Sequence, residues 1–205
     1  MLASVIDESE RPGDWIRADR GDGEQSLAPD GVAPARLLAD FLPRVKDRLI
    51  IYNRNKDRAH KLRLRFGVDC GDVKVDRDGL LSGDPIVVAT RLQAHPANRE
   101  AMSALSGAVL TALVSDTVYQ RVVPYNARGL EESQFRRVVV EIQGRKQNAW
   151  LYVPGHQPPV VEGVPAEEPP ERGSAGGETY HVRMDNAIGT QIGRNNTQHF
   201  HGGPR

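Results

Sequence analysis

Acidic side chains at short spacings are the first feature of this chain that could do chemistry: Asp69, Asp72, Asp76 and Asp78 share one stretch, and Asp22 sits in a Gly-Asp-Gly turn. Clustered carboxylates are what a divalent cation needs. The run nevertheless lacks the central glycine and terminal glutamate of a calcium loop, so it reads as a solvated turn. A Gly-Asp-Gly sequence serves turn geometry equally well. His199 and His201 form a His-x-His pair, fewer ligands than a structural zinc site uses. Cys70, the single cysteine, has no histidine or acid at a motif spacing and reads as a small residue at a strand end. Arg91 lies in an otherwise apolar stretch and Lys146 in a charged turn.

These residues need elements to position them. In residues 62–68, Leu62, Leu64, Phe66 and Val68 alternate with Arg63 and Arg65, the period of a strand with one core face and one wet face. A charged turn closing on Asp78-Gly79 follows, then Gly83 and a helix from Ile86 past Arg91. Upstream, residues 15–18 and 25–28 flank Asp19-Arg20-Gly21-Asp22-Gly23 and predict a hairpin, and residues 1–6 read as the last turn of a helix. Leu37, Leu38, Phe41, Leu42, Val45 and Leu49 recur at helical spacing behind Pro34, which predicts a helix to about Asn53. Further on, residues 98–106 are helical in composition, 109–114 predict a buried strand, and Ser115-Asp116 caps a short helix through Val122. Residues 135–142 and 149–153 predict two strands joined by a turn over 144–148. Strands mixed with helices argue an α+β sandwich, one sheet with helices packed on it.

With 205 residues there is room for one ordinary domain and an extension. Hydrophobic residues are only 39% and aromatics 5%, so part of the chain packs no core. That part is residues 155–177, a Pro-, Glu- and Gly-rich linker, followed by residues 178–205 as a flexible tail; the folded domain is 1–154. Twenty-seven basic residues balance twenty-seven acidic ones, which gives no reason to expect a nucleic acid or a membrane as partner and weakens self-repulsion between copies. No apolar run is long enough to span a bilayer and the first residues lack the form of a signal peptide, so the expected location is the cytoplasm.

The central pieces, GVDCG at residues 67–71 and GDPIVVATRL at 83–92, together with RADRGDGEQSL at 17–27, resemble the class III nucleotidyl cyclases over roughly three quarters of the chain. Trp150 near the domain end resembles small stand-alone members of that group. The resemblance implies a ferredoxin-like cyclase sandwich with one mainly antiparallel sheet, working as a homodimer. It also implies a nucleotide ligand, with Mg or Mn if the domain is active. Asp22 then matches a metal-binding aspartate, Arg91 the arginine that stabilises phosphoryl charge, and Lys146 a phosphate-binding lysine. Departures are equally specific. The ribose-orienting asparagine falls at Val87, the purine-reading lysine near Ala18, and the first strand with its metal aspartate has no counterpart among the matched residues. The domain therefore resembles a degenerate member, with no certain cofactor.

In the tail, an extended conformation puts Ile188, Thr190 and Ile192 on one face and Gly189, Gln191 and Gly193 on the other. Such a strand stacks well in register, since Gln191, Asn195, Asn196 and Gln198 can form amide ladders. Gln191-Ile192-Gly193 with Asn196 resembles the core of RHIM-like amyloid signalling motifs, in which the equivalents of Ile188, Gly189, Gln191, Ile192, Gly193, Asn196 and Gln198 carry self-association. Thr190 and Gln198 fit the bacterial relatives of that motif better than the animal ones. The implied partner is a protein bearing a matching motif. Three functions stay open on the sequence: a degenerate cyclase-like sensor recruited through its tail, an active cyclase acting on ATP or GTP, and a plain dimerisation module.

Overall fold

A computed structural model describes residues 15–19, 23–77 and 81–161. Strands β1 (Ile16–Asp19) and β2 (Glu24–Leu27) pair antiparallel as a separate hairpin. A rod, α1, follows in three pieces: a helical turn Pro34–Arg36, a wider π turn Leu37–Phe41, and Leu42–Asn53. Pro43 has no N–H to give to the preceding turn, and the ladder here is closed by a longer bond from the Leu42 N–H to the Leu37 carbonyl. The buried stripe Leu38, Phe41, Leu42, Val45 and Leu49 is the one the apolar spacing marks out.

Next come β3 (Leu64–Val68), a small hairpin of β4 (Lys74–Val75) and β5 (Leu81–Ser82), helices α2 (Asp84–Ala94) and α3 (Pro96–Ala104), β6 (Leu110–Ser115), α4 (Asp116–Val122), and the long strands β7 (Phe135–Ile142) and β8 (Arg145–Tyr152). The sheet runs β3-β6-β8-β7, with β3 parallel to β6 and the other two pairs antiparallel. It is thus a mixed sheet in an α+β domain. The last two strands meet at a two-residue turn in which Gln143 and Gly144 both take positive φ. The turn expected over 144–148 is therefore shorter, because Arg145 to Asn148 find partners in Val139 to Ile142.

Two cores lie on opposite faces of the sheet. On one, α1 covers Val68, Leu110, Ala112 and Val114, and Phe135, Tyr152 and Trp150 extend the layer. On the other, α2 and α3 bring Leu92, Ala97 and Ala101 against Leu113, Val138, Val140 and Leu151. The wet second face expected for β3 is instead covered by helix. Gly67 makes this possible, since a Cβ there would overlap the Ala89 carbonyl oxygen and the Gln93 nitrogen. Arg63, though exposed, is also anchored: its guanidinium donates to the carbonyls of Ala108, Met102 and Leu105 and so closes the end of α3.

A buried amide ties the layers together. Asn98 is fully buried; its Nδ2 donates to the Phe66 carbonyl at 2.9 Å and faces the Leu92 and Gln93 carbonyls at the end of α2. Its Oδ1 accepts from the Thr111 hydroxyl at 2.6 Å, so strand, helix and neighbouring strand share one polar node. At the other end, Asn53 exchanges two bonds with the Leu62 backbone, at 2.7 and 2.8 Å, and fixes where α1 ends over β3. The chain after β8 continues to Val161, whose side chain is buried in the second core, and Arg136 holds the Pro158 carbonyl at 3.0 Å.

Replacing Gly67 with alanine forces α2 off β3. The expected loss is about 3 kcal/mol or more, read as a lowered urea midpoint; an unchanged midpoint would show that the two elements do not meet so closely.

Candidate functional site

The unit β3–β4–β5–α2 positions Arg91. Gly83 enters α2 at φ 130°, packed against the Asp72 carbonyl, and Pro85 occupies the first turn, where a missing N–H is harmless. From that start the helix buries Leu92 and turns Val87, Thr90, Arg91 and Ala94 outward. Arg91 stands exposed in the last turn, where a cation complements the helix dipole. Beside it, Thr90 Oγ1 accepts from Gln25 Nε2 at 3.1 Å, which brings the β1–β2 hairpin against this helix. Val87, standing where a ribose-orienting asparagine is implied, is 36% exposed and has only a methyl surface to offer.

Lys146 is exposed near the start of β8, in register with Glu141. Alternation along β8 puts it on the same face as Trp150, the face covered by α1, whereas α2 lies on the opposite face. One chain therefore does not bring Arg91 and Lys146 together. Ala18 lies in β1, partly exposed.

The polar group that the structure does assemble lies at the C-terminal ends of the parallel strands β3 and β6. Asp69 Oδ1 accepts from the Ser115 hydroxyl at 2.5 Å, and the same hydroxyl accepts the Val118 N–H that caps α4. Burial pushes the Asp69 carboxyl above its ordinary range, against the opposing pull of the Ser115 bond, the Cys70 amide and Arg121. The neighbouring Cys70 thiol is also raised by burial, which keeps it protonated and poorly nucleophilic. Next to them, Asp116 accepts from Trp150 Nε1 at 2.8 Å, and the Trp150 ring stacks on Tyr119 with centroids 3.5 Å apart. Burial lifts the Tyr119 hydroxyl to about 12, so it stays protonated. With its hydroxyl engaged on both sides, Ser115 has a capping and tethering role, and Asp69 is a carboxyl that burial makes easier to protonate.

Sequence reasoning placed Asp69 in one solvated turn with Asp72 and Asp76. Of the three, Asp72 and Asp76 are exposed and Asp69 is half-buried. Its position directly after an apolar strand was the available signal, and the Ser115 partner 46 residues away was not legible. Asn98 was missed although residues 98, 101, 102 and 105 share a helix face with the buried Ala101 and Met102.

Several expectations lie outside the described residues: Asp22, Asp78, the helical turn over residues 1–6, His199 and His201, and the self-association residues Ile188, Gly189, Gln191, Ile192, Gly193, Asn196 and Gln198. Among the described residues, no three His, Cys, Asp or Glu side chains are grouped to hold a metal ion, and no helix is long and apolar enough to cross a membrane. Comparison with family models, with curated proteins and with solved structures finds no match to the chain.

The raised Asp69 carboxyl has a signed consequence for stability. The protonated acid is favoured in the folded state, so its stabilising contribution is present below the ordinary value of 3.8 and is lost as the pH rises through the folded value. At neutral pH the charge is a net cost. Asp69→Asn, which keeps an acceptor for Ser115, should therefore raise Tm at neutral pH, and the gain should shrink on acidification; a lower Tm at neutral pH would mean that the carboxylate itself is needed.

Proposed function

We propose that the chain is a signalling protein in which a degenerate class III cyclase-like domain senses a nucleotide and a C-terminal motif recruits, or is recruited by, a protein carrying a matching motif. The carrying observation is the separation of Arg91 and Lys146 on opposite sides of the sheet. A triphosphate gripped by both would have to lie between two copies, as the homodimer implied by the resemblance requires. Arg91 is exposed on the outward face of α2 and free to serve such a shared site. Val87 supplies no hydrogen bond to orient a ribose, which favours binding over turnover.

Asp22 would hold a metal ion in this reading, Mg or Mn, and the ion's contribution would be to screen the phosphate charge. A sandwich of the ferredoxin-like cyclase type is compatible with the mixed sheet and its flanking helices. The tail adds the second half of the function. Its alternation of β-branched residues with glycine and glutamine is the composition that pairs with copies of itself.

Calorimetric titration of the full chain with ATP and with GTP, with and without manganese and with assay for cyclic product in the same sample, tests the domain. Expected is binding without product, weakened roughly tenfold or more by Arg91→Ala through loss of a charge-assisted contact. Metal-dependent product abolished by Asp22→Ala would replace the sensor by an enzyme, and indifference to both substitutions would leave a dimerisation module. For the tail, fibrils of the full chain should disappear when Gln191→Ala is combined with Gly193→Ala; fibrils that persist unchanged would remove the motif from the proposal.

A further inference from the structure

Among the described residues, the sheet ends at β3 with an unpaired edge. Leu64 N–H donates to the Val109 carbonyl at 2.9 Å, and Leu64, Phe66 and Val68 stand in register with Leu110, Ala112 and Val114. Bonding residues alternate along a parallel ladder, so these three point their backbone groups at β6. Arg65 and Gly67 then point theirs away from the sheet, and β6 is the only strand bonded to β3 among the described residues. Two N–H and two C=O groups are presented there in strand geometry, each better satisfied by another strand than by water.

The surroundings of this edge select what can be added. On one side of the sheet, Trp15, next to β1, lies against Phe41 of α1 with ring centroids 5.1 Å apart; on the other, Gln25 of β2 bonds Thr90 of α2. The hairpin thus touches both helical layers and bonds to neither edge of the four-stranded sheet. A single extended segment is the smallest element that can pair with such an edge. On the α1 side such a segment meets the half-buried Leu64 and Phe66, which favour apolar residues. On the α2 side it meets the helix that leaves no room for a Cβ at Gly67, which favours glycine or other small residues.

We infer that the open edge of β3 binds an extended strand from a second polypeptide by β-augmentation, one in which apolar β-branched residues alternate with glycine or other small residues. Backbone bonds to Arg65 and Gly67 supply the attachment and the two flanking layers supply the pattern. The inference rests on the proposed self-association reading only in its choice of probe, a peptide of residues 186–196 with the sequence NAIGTQIGRNN, whose Ile188, Thr190 and Ile192 alternate with Gly189, Gln191 and Gly193.

The test is amide hydrogen exchange on the full chain, with and without this peptide, below the concentration at which the peptide sediments. Arg65 and Gly67 amides should exchange fast in the free chain and slow roughly tenfold or more with peptide, while Leu64, Phe66 and Val68 stay protected throughout. Arg65→Pro removes an outward N–H and leaves every bond to β6 in place, so it should abolish the peptide's effect on Gly67 without changing protection of Phe66. Fast exchange at both amides with peptide present would overturn the inference, as would protection already present in the free chain, since the edge would then be filled. A peptide that forms fibrils yet leaves the edge unprotected sinks this inference alone; edge protection by a peptide that never forms fibrils sinks the tail reading and leaves this one standing.

Discussion

The close approach of α2 to β3 at Gly67 is the constraint on which the rest of the domain depends. No side chain fits between the strand and the Ala89–Gln93 backbone, so the helix lies directly on the sheet, and the Asn98 amide can then reach the Phe66 carbonyl and the Leu92 and Gln93 carbonyls in the last turn of α2. An amide buried to 0% exposure is tolerable only where its bonds are made, and here the Thr111 hydroxyl completes them. A larger residue at position 67 or an apolar one at 98 would break the same joint from opposite sides. Arg91 inherits its place from this joint, because the turn of α2 that buries Leu92 necessarily turns Arg91 outward.

A sheet covered on both faces separates what the sequence places on successive elements. Helix α1 takes one face and the pair α2–α3 takes the other, so residues contributed by β8 and by α2 look out from different sides. Chemistry that needs both has to be shared between chains. The C-terminal ends of β3 and β6, by contrast, lie side by side in a parallel pair, and there Asp69, Ser115 and the start of α4 converge with the Trp150–Tyr119 stack. Burial of a carboxylate at that point costs stability that the Ser115 hydroxyl offsets only in part, while the same hydroxyl caps α4.

Legibility followed the range of the forces involved. The apolar stripe of α1 and the capping Ser115 act within a turn or two of chain, and both stand where the spacing put them. The start of β8 was not visible, because Arg145, Lys146, Gln147 and Asn148 are polar and become strand only through pairing with β7. The alternation in 62–68 located a strand correctly but misjudged its second face. Arg63, exposed as the alternation predicts, also closes the end of α3, and Gly67, read only as one more strand position, is where a helix is admitted.

The sequence by itself determined the order and kind of the main elements, the stripe that α1 buries, and the alternating pattern of the tail, since each depends on side chains a few residues apart. Only the tertiary structure decided which sheet face each helix covers, that Asp69 meets Ser115, that Arg91 and Lys146 part company, and that β3 ends the sheet among the described residues, with Arg65 and Gly67 facing outward. These are contacts, or missing contacts, between segments far apart in the chain. Local periodicity carries no information about them, because the same strand pattern pairs equally well with a neighbour on one side or on two.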